Sequence, residues 1–294
     1  MNKITSKFAL GSANFGLDYG LANKSGKISD SELAAILSAA DGAGVEFIDT
    51  AQAYGDSEAR LGDFCGDYCF KIVTKIGIDL ENDYLRSSIT DLVKQSCKKL
   101  NQKTLHAVLL HRPEILLGDK GSSIVRELRS LKDQNIISKI GISIYSPDIL
   151  VTISKLFPFD IVQAPFNIID QQLVSSGWSE KLKENRVEIH IRSVFLQGLL
   201  LMEQPNLHTY FNNNWPDLFS DWYKFLNDNN LDALNVSLNF VLQQNWIDKV
   251  VVGVDNSLQL KALLKIEKSS LSSDFPKIEC NDPNLINPSN WRLK

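Results

Sequence analysis

The chain has 294 residues, 44% of them hydrophobic and 22% charged, with a formal net charge of −4. This composition supports a sizeable globular core and excludes the broad basic face with which nucleic-acid binders displace counterions. No apolar run approaches the roughly 18 residues of a membrane span, and the opening MNKITSKFALGSANFG lacks the apolar centre of a secretory signal, so a cytoplasmic protein is expected.

Along the chain, short apolar, β-branched runs alternate with longer stretches whose apolar residues recur every three or four positions. The first strand is expected at 8–13, followed by a helix at 31–43, and the second strand at 45–48 by a helix at 57–64. Strands at 71–74 and 107–110 precede helices at 84–100 and 122–134. Strands at 139–143 and 160–164 precede helices at 147–157 and 171–185. The last strands, at 188–192 and 250–253, are followed by helices at 234–244 and 257–268.

Strands that are apolar on both faces and separated by helices imply a parallel sheet covered on both sides. Eight such units close into a (β/α)8 TIM barrel, an α/β fold of one domain over residues 1–294. The aromatic-rich stretch 206–225 reads either as a lid or as a satellite cluster packed beneath a loop. Residues 269–294, rich in Pro, Asn, Asp and Ser, are expected as an irregular C-terminal tail. The four cysteines form no disulfide framework and no metal-ligand set, and are expected as buried, inert thiols.

Barrel chemistry belongs to the C-terminal ends of the strands, which converge on one mouth. VEFID ends in Asp49, KIVTK in Lys75 and AVLLH in His111, while Tyr54 follows five residues after Asp49 in the loop AQAYGDSE. A phenol, with a reference pKa near 10, is a weak donor that a nearby ammonium would activate, and Lys75 is placed to do so. Asp49 would neutralise and orient Lys75, and His111 would hold a substrate oxygen for proton transfer. Taken singly, each has a duller explanation: a cap, a solvated strand end, a loop histidine, a packing aromatic. Four complementary groups at matching strand ends argue for a site.

FIDTAQAYGDSEARLG (47–62), with the Lys of IVTK and the His of LLHRP, resembles the signature and catalytic tetrad of the aldo-keto reductases. LGSANFG (10–16), KIGIS (139–143), VQAPFN (162–167) and SVFLQGLL (193–200) extend the likeness over most of the chain. The opening FALGSANFGLDYGLANKSGKIS resembles more narrowly a bacterial subgroup associated with cell-surface polysaccharide biosynthesis. The resemblance implies a small-molecule carbonyl substrate, a nicotinamide cofactor bound in extended form, Tyr54 as general acid and no metal. It assigns the cofactor to Ser143, Gln163, Arg192, Ser193, Gln197, Gly198, Gly253, Asp255 and Ser257, with Ser143 and Gln163 at the nicotinamide carboxamide. No G-x-G-x-x-G follows a strand, so a Rossmann site has no support.

Three positions depart from the family pattern. Ile144 stands where many members have Asn, and Arg192 where an aromatic stacks on the nicotinamide; its guanidinium plane either stacks there or faces an anionic substrate group. Asp255 lies where basic residues often meet a 2′-phosphate, with Lys261 one turn on. Family habit puts NADP(H) slightly ahead, while the Asp255 carboxylate suits the ribose of NAD(H). Two other readings stand beside the reductase: a lyase or aldolase with a Lys75 Schiff base, and a non-catalytic nicotinamide-binding regulator. The sequence carries no sign of the oligomeric state.

Overall fold

The computed structural model describes residues 5–23, 25–66, 68–77, 88–266 and 275–293. Strands β1 (Phe8–Gly11), β2 (Phe47–Asp49), β3 (Lys71–Ile76), β4 (Leu105–Leu110), β5 (Ile137–Ser143), β6 (Ile161–Pro165), β7 (Glu188–Arg192) and β8 (Lys249–Gly253) pair in chain order around a closed barrel. All pairs are parallel, and β1 closes on β8 with Ala9 opposite Val251 and Gly11 opposite Gly253. All eight expected strands are present. β3 runs on to Ile76, which draws Lys75 into the ladder.

Residues two apart on a strand share a face. Ala9, Phe47, Val73, Ala107, Leu109, Ile161 and Val251 form an apolar plug within the barrel. Two residues further along their strands come Asp49, Lys75, His111 and Gln163. Strand alternation alone therefore stacks a polar layer on the plug, at the end where the loops leave the strands.

The outer layer begins with α1 (Ala13–Gly16) and α2 (Asp30–Ala43) after β1, then α3 (Ser57–Phe64), α4 (Ile89–Lys99), α5 (Gly121–Asp133) and α6 (Leu150–Leu156) after the next four strands. α7 (Gln172–Ser175) and α8 (Trp178–Glu184) follow β6, and α9 (Thr209–Asn214), α10 (Pro216–Asp228) and α11 (Ala233–Leu242) follow β7. α12 (Ser257–Leu264) and α13 (Pro283–Ile286) come last. Ser29 caps α2 by accepting the Glu32 N–H, and Ser88 with Asp91 forms a capping box on α4. The expected helical residues 84–87 and 267–268 lie outside the described residues. The expected helix 171–185 is broken, because Gly177 adopts a left-handed φ of 73° between α7 and α8. At 147–157 the first turn is a 3-10 turn, Pro147–Ile149.

The stretch 206–225 is largely helical, and Phe211, Phe219, Trp222 and Tyr223 are buried in the main core. Trp222 donates its indole N–H to Leu200 O at 3.3 Å, and Tyr223 its hydroxyl to Met202 O at 3.1 Å. These aromatics are thus part of the main core, tied to the segment that leaves β7, and do not form a separate satellite cluster. Cys65 is buried and its thiol is pushed up to about 12 by burial, whereas Cys69 is exposed and Cys97 and Cys280 are half-buried, so the expectation of buried thiols holds for Cys65 alone.

Gly141 of β5 sits against the plug: a Cβ there would stand 2.4 Å from Leu109 Cδ2 and 2.5 Å from Ile161 O. A Cβ at Gly42 in α2 would meet nothing within 4 Å. Gly141→Ala is expected to lower the unfolding free energy by about 1–3 kcal/mol through overpacking. Gly42→Ala should raise it by about 0.5–1 kcal/mol. Urea denaturation of the two variants checks the contrast.

Candidate active site

At the centre of the polar layer the Lys75 ammonium donates to Asp49 Oδ2 at 2.5 Å and to Thr50 O at 3.1 Å. Both side chains are sealed, at 1% and 6% exposure. Gln163 closes the other side of the carboxylate, donating its amide to Asp49 Oδ1 at 2.7 Å. Burial drives the Lys75 pKa down, and the Asp49 charge and hydrogen bond oppose that shift.

Tyr54 enters the mouth on the loop from β2 to α3, where its backbone N–H bonds Ala51 O at 3.0 Å and its carbonyl accepts the Ser57 N–H at 3.0 Å. Two glycines lock this loop. A Cβ on Gly16 would stand 1.9 Å from Tyr54 O, and one on Gly55, at φ 57°, would stand 2.3 Å from Gly16 O. The first-strand turn and the tyrosine loop touch backbone to backbone at positions where only glycine fits. Much of 47–62 serves this clasp: Ser57 bonds Ser12, Glu58 accepts from Thr74, and Arg60 binds Asp30 and Phe15 O.

The Lys75 ammonium lies 5.1 Å over the Tyr54 ring, and the Tyr54 and His111 rings meet edge-to-face at 6.0 Å. Asp49, Tyr54, Lys75 and His111 thus share one mouth. Burial and the Asp49 charge raise the Tyr54 pKa above its usual value, and the cation that opposes them is Arg192. His111 is held down to about 4, first by burial and then by Lys75 and Arg192, so its imidazole is neutral at ordinary pH.

Ser143 and Gln163 face each other across the β5–β6 ladder, and Gln163 Oε1 is a buried acceptor without a partner. Arg192, half-buried, donates to Ile144 O at 3.0 Å and to Ser193 Oγ at 3.2 Å, and its Cζ lies 4.5 Å from the Tyr145 ring centroid. The backbone carbonyl at position 144 thus anchors the Arg192 side chain. In the loop after β7, Ser193, Gln197 and Gly198 take positive φ. Gln197 O accepts the Leu21 N–H at 3.0 Å, and a Cβ on Gly198 would collide with Ala22, so these two residues hold the loop that follows α1. Gly253 is exposed at the end of β8. Asp255 accepts from Asn14 Nδ2 at 3.2 Å, and the Ser257 N–H that opens α12 donates to Glu32 Oε1 at 2.5 Å.

Sequence reasoning missed the Gln163–Asp49 bond, the Tyr145 stack and Glu32. Tyr145 comes two residues after Ser143, and that spacing was a signal for a shared face. Glu32 gave none, because it reaches α12 from α2 across 225 positions.

A family model described as "Aldo/keto reductase family" matches residues 7–278. The chain belongs to the aldo-keto reductase family. As an aldo-keto reductase it is an NAD(P)-dependent oxidoreductase that reduces carbonyl groups. It is similar to the aldo-keto reductase YhdN of Bacillus subtilis, 25% identical over 261 residues, which cover 80% of this chain and 78% of that protein. It is also similar to the D-arabinose 1-dehydrogenase of Saccharomyces cerevisiae, 27% identical over 75% of this chain and 72% of that one. A third relative is the D-threo-aldose 1-dehydrogenase of a Pseudomonas species, 26% identical over 86% and 89% of the two chains. The fold matches the solved structure of an aldo-keto reductase from Bacillus halodurans with a TM-score of 0.73 at 18% identity, over 92% of this chain and 89% of that one.

The lowered imidazole pKa of this aldo-keto reductase has a consequence for pH. His111 and His106 are both held down to about 4, chiefly by burial, from an ordinary 6.5. A depressed histidine favours the fold above its unfolded pKa and loses that contribution as the pH falls toward the folded one. Stability should decline between about pH 6.5 and about pH 4. The decline should be shallower in His111→Asn, read by urea unfolding at each pH, and NMR titration of the ring protons should place His111 well below 6.5.

Proposed function

We propose that Tyr54 is the general acid of the carbonyl reduction and His111 the neutral donor that positions the substrate oxygen. The observation that carries this reading is the sealed Asp49–Lys75 pair beneath a phenol and an imidazole in edge-to-face contact. The raised phenol stays protonated at neutral pH and so holds the proton to be delivered. A developing alkoxide is more basic than a phenolate, so transfer remains downhill as negative charge builds on the oxygen. Lys75 and Asp49 fix the floor under Tyr54. Lys75 itself is a poor Schiff-base nucleophile, being fully buried and hydrogen-bonded to Asp49 and Thr50 O.

When bound, the nicotinamide cofactor supplies a hydride. Its carboxamide suits Gln163, whose buried Oε1 lacks a donor, and Ser143 across the ladder. Ser193, Gln197 and Gly198 would line its path from the β7 side, and Gly253, Asp255 and Ser257 its adenosine end. The sugar-like substrate suggested by the opening segment, with its likeness to proteins of cell-surface polysaccharide biosynthesis, is supported by the names of the yeast and Pseudomonas relatives. A cytoplasmic setting fits the four free cysteines. Tyr54→Phe is expected to abolish turnover while leaving cofactor affinity within about tenfold, measured by steady-state kinetics beside fluorescence titration. Retained turnover would refute the assignment of the proton to the phenol.

The adenosine end favours NAD(H), against family habit. The Glu32 carboxylate already takes the first N–H of α12, and that bond holds its pKa low. Asp255 stands two residues before, and the basic residue that answers Glu32 is Lys261. A 2′-phosphate brought here would meet two carboxylates. Titration should show tighter binding of NADH than of NADPH, and Glu32→Gln should narrow the difference by improving NADPH affinity. Tighter NADPH binding by the unaltered protein would reverse the choice.

A further inference from the structure

Among the charges that converge on the mouth, Arg192 has no contact partner of opposite sign among the described residues. Lys75 is paired with Asp49 at 2.5 Å, and no carboxylate of the described residues makes an ion pair with Arg192. Asp170 feels the guanidinium, but no hydrogen bond or ion pair joins the two. Arg192 is also fixed in place: Ile144 O and Ser193 Oγ each take one N–H, and the Tyr145 ring covers one face. A guanidinium has five N–H donors, so several are left for a ligand. Its field reaches Tyr54, His111, Lys75 and Tyr19, so it acts on the mouth that holds the phenol and the imidazole.

Two large aromatics at this rim stay exposed, Tyr145 at 47% and Tyr19 at 43%. Gln197 Nε2 reaches the Tyr19 hydroxyl at 3.4 Å and ties the β1 loop to the β7 loop. An orientated, partly desolvated cation flanked by exposed rings is the arrangement that recognises a carboxylate or phosphate on an organic body. We propose that Arg192, braced by Tyr145, receives an anionic group on the substrate, so that the preferred substrates are acidic aldehydes or ketones. This rests on the reading of the site as a carbonyl reductase. The diphosphate of the cofactor shares the chemistry of the proposed group and is separated from it by the test.

The kcat/KM for 4-carboxybenzaldehyde is compared with that for its neutral methyl ester in the unaltered protein, Arg192→Met and Arg192→Lys. Binding of 4-(hydroxymethyl)benzoate and its methyl ester to the free protein is measured by calorimetry, and NADH affinity by fluorescence. The acid should be preferred by about tenfold or more, the scale of a hydrogen bond to a charged group. That preference should shrink as ionic strength rises, a measurement that needs no variant. Arg192→Met should remove the preference in kcat/KM and in calorimetry, Arg192→Lys should keep part of it, and NADH affinity should shift by less than the acid preference. Equal treatment of acid and ester by the unaltered protein overturns the proposal, as does a preference that survives in Arg192→Met. Loss of NADH affinity with the acid preference intact assigns the cation to the cofactor diphosphate and also overturns it. Turnover of neither aldehyde, with tighter calorimetric binding of the acid, upholds the anion receptor and counts against the reductase reading alone.

Discussion

Two opposite charges sealed from water inside a barrel demand partners on every side, because desolvation costs several kcal/mol per ion unless hydrogen bonds and a counter-charge replace the water. Asp49 and Lys75 meet that demand with each other, with Gln163 and with Thr50 O. Three strands are committed by this arrangement: Asp49 closes β2 and Thr50 follows it, Lys75 lies in β3, and Gln163 lies in β6. The pair therefore acts as the floor of the mouth. Tyr54 and His111 stand on it: burial does most to keep the phenol protonated and the imidazole neutral, and the Asp49 and Lys75 charges add to those effects.

With the floor neutral as a pair, Arg192 sets the electrostatic character of the space above. It opposes the rise in the Tyr54 pKa and adds to the fall in those of His111 and Lys75. At the far end, Glu32 and Asp255 make the α12 N-terminus acidic although a helix N-terminus by itself attracts anions. The molecule thus presents a cation near the chemistry and carboxylates at the distant end.

The signature segment 47–62 divides its residues unequally between chemistry and architecture. Asp49 and Tyr54 face the mouth, while Ser57, Glu58 and Arg60 fasten α3 to neighbouring elements through buried hydrogen bonds. The interlocked pair Gly16 and Gly55 explains why the turn after β1 belongs to the same pattern. A side chain at either glycine would push the tyrosine loop outward and move the phenol away from His111.

Sequence periodicity by itself determined the eight strands, their order in a parallel barrel and the layer that holds Asp49, Lys75 and His111, because alternation along a strand is a local property that a linear reading captures. It also brought Tyr54 to the mouth, since a short loop cannot carry it far from Asp49. Only the tertiary structure decided who touches whom: Gln163 on Asp49 across 114 positions, Glu32 on Ser257 across 225, and Arg192 on Ile144 across 48. It likewise folded much of the aromatic stretch 206–225 into helix whose Phe211, Phe219, Trp222 and Tyr223 are buried. Contacts of this kind depend on how distant elements pack and on how deeply each group is buried, and desolvation depends on the surrounding volume and not on the neighbours in the chain.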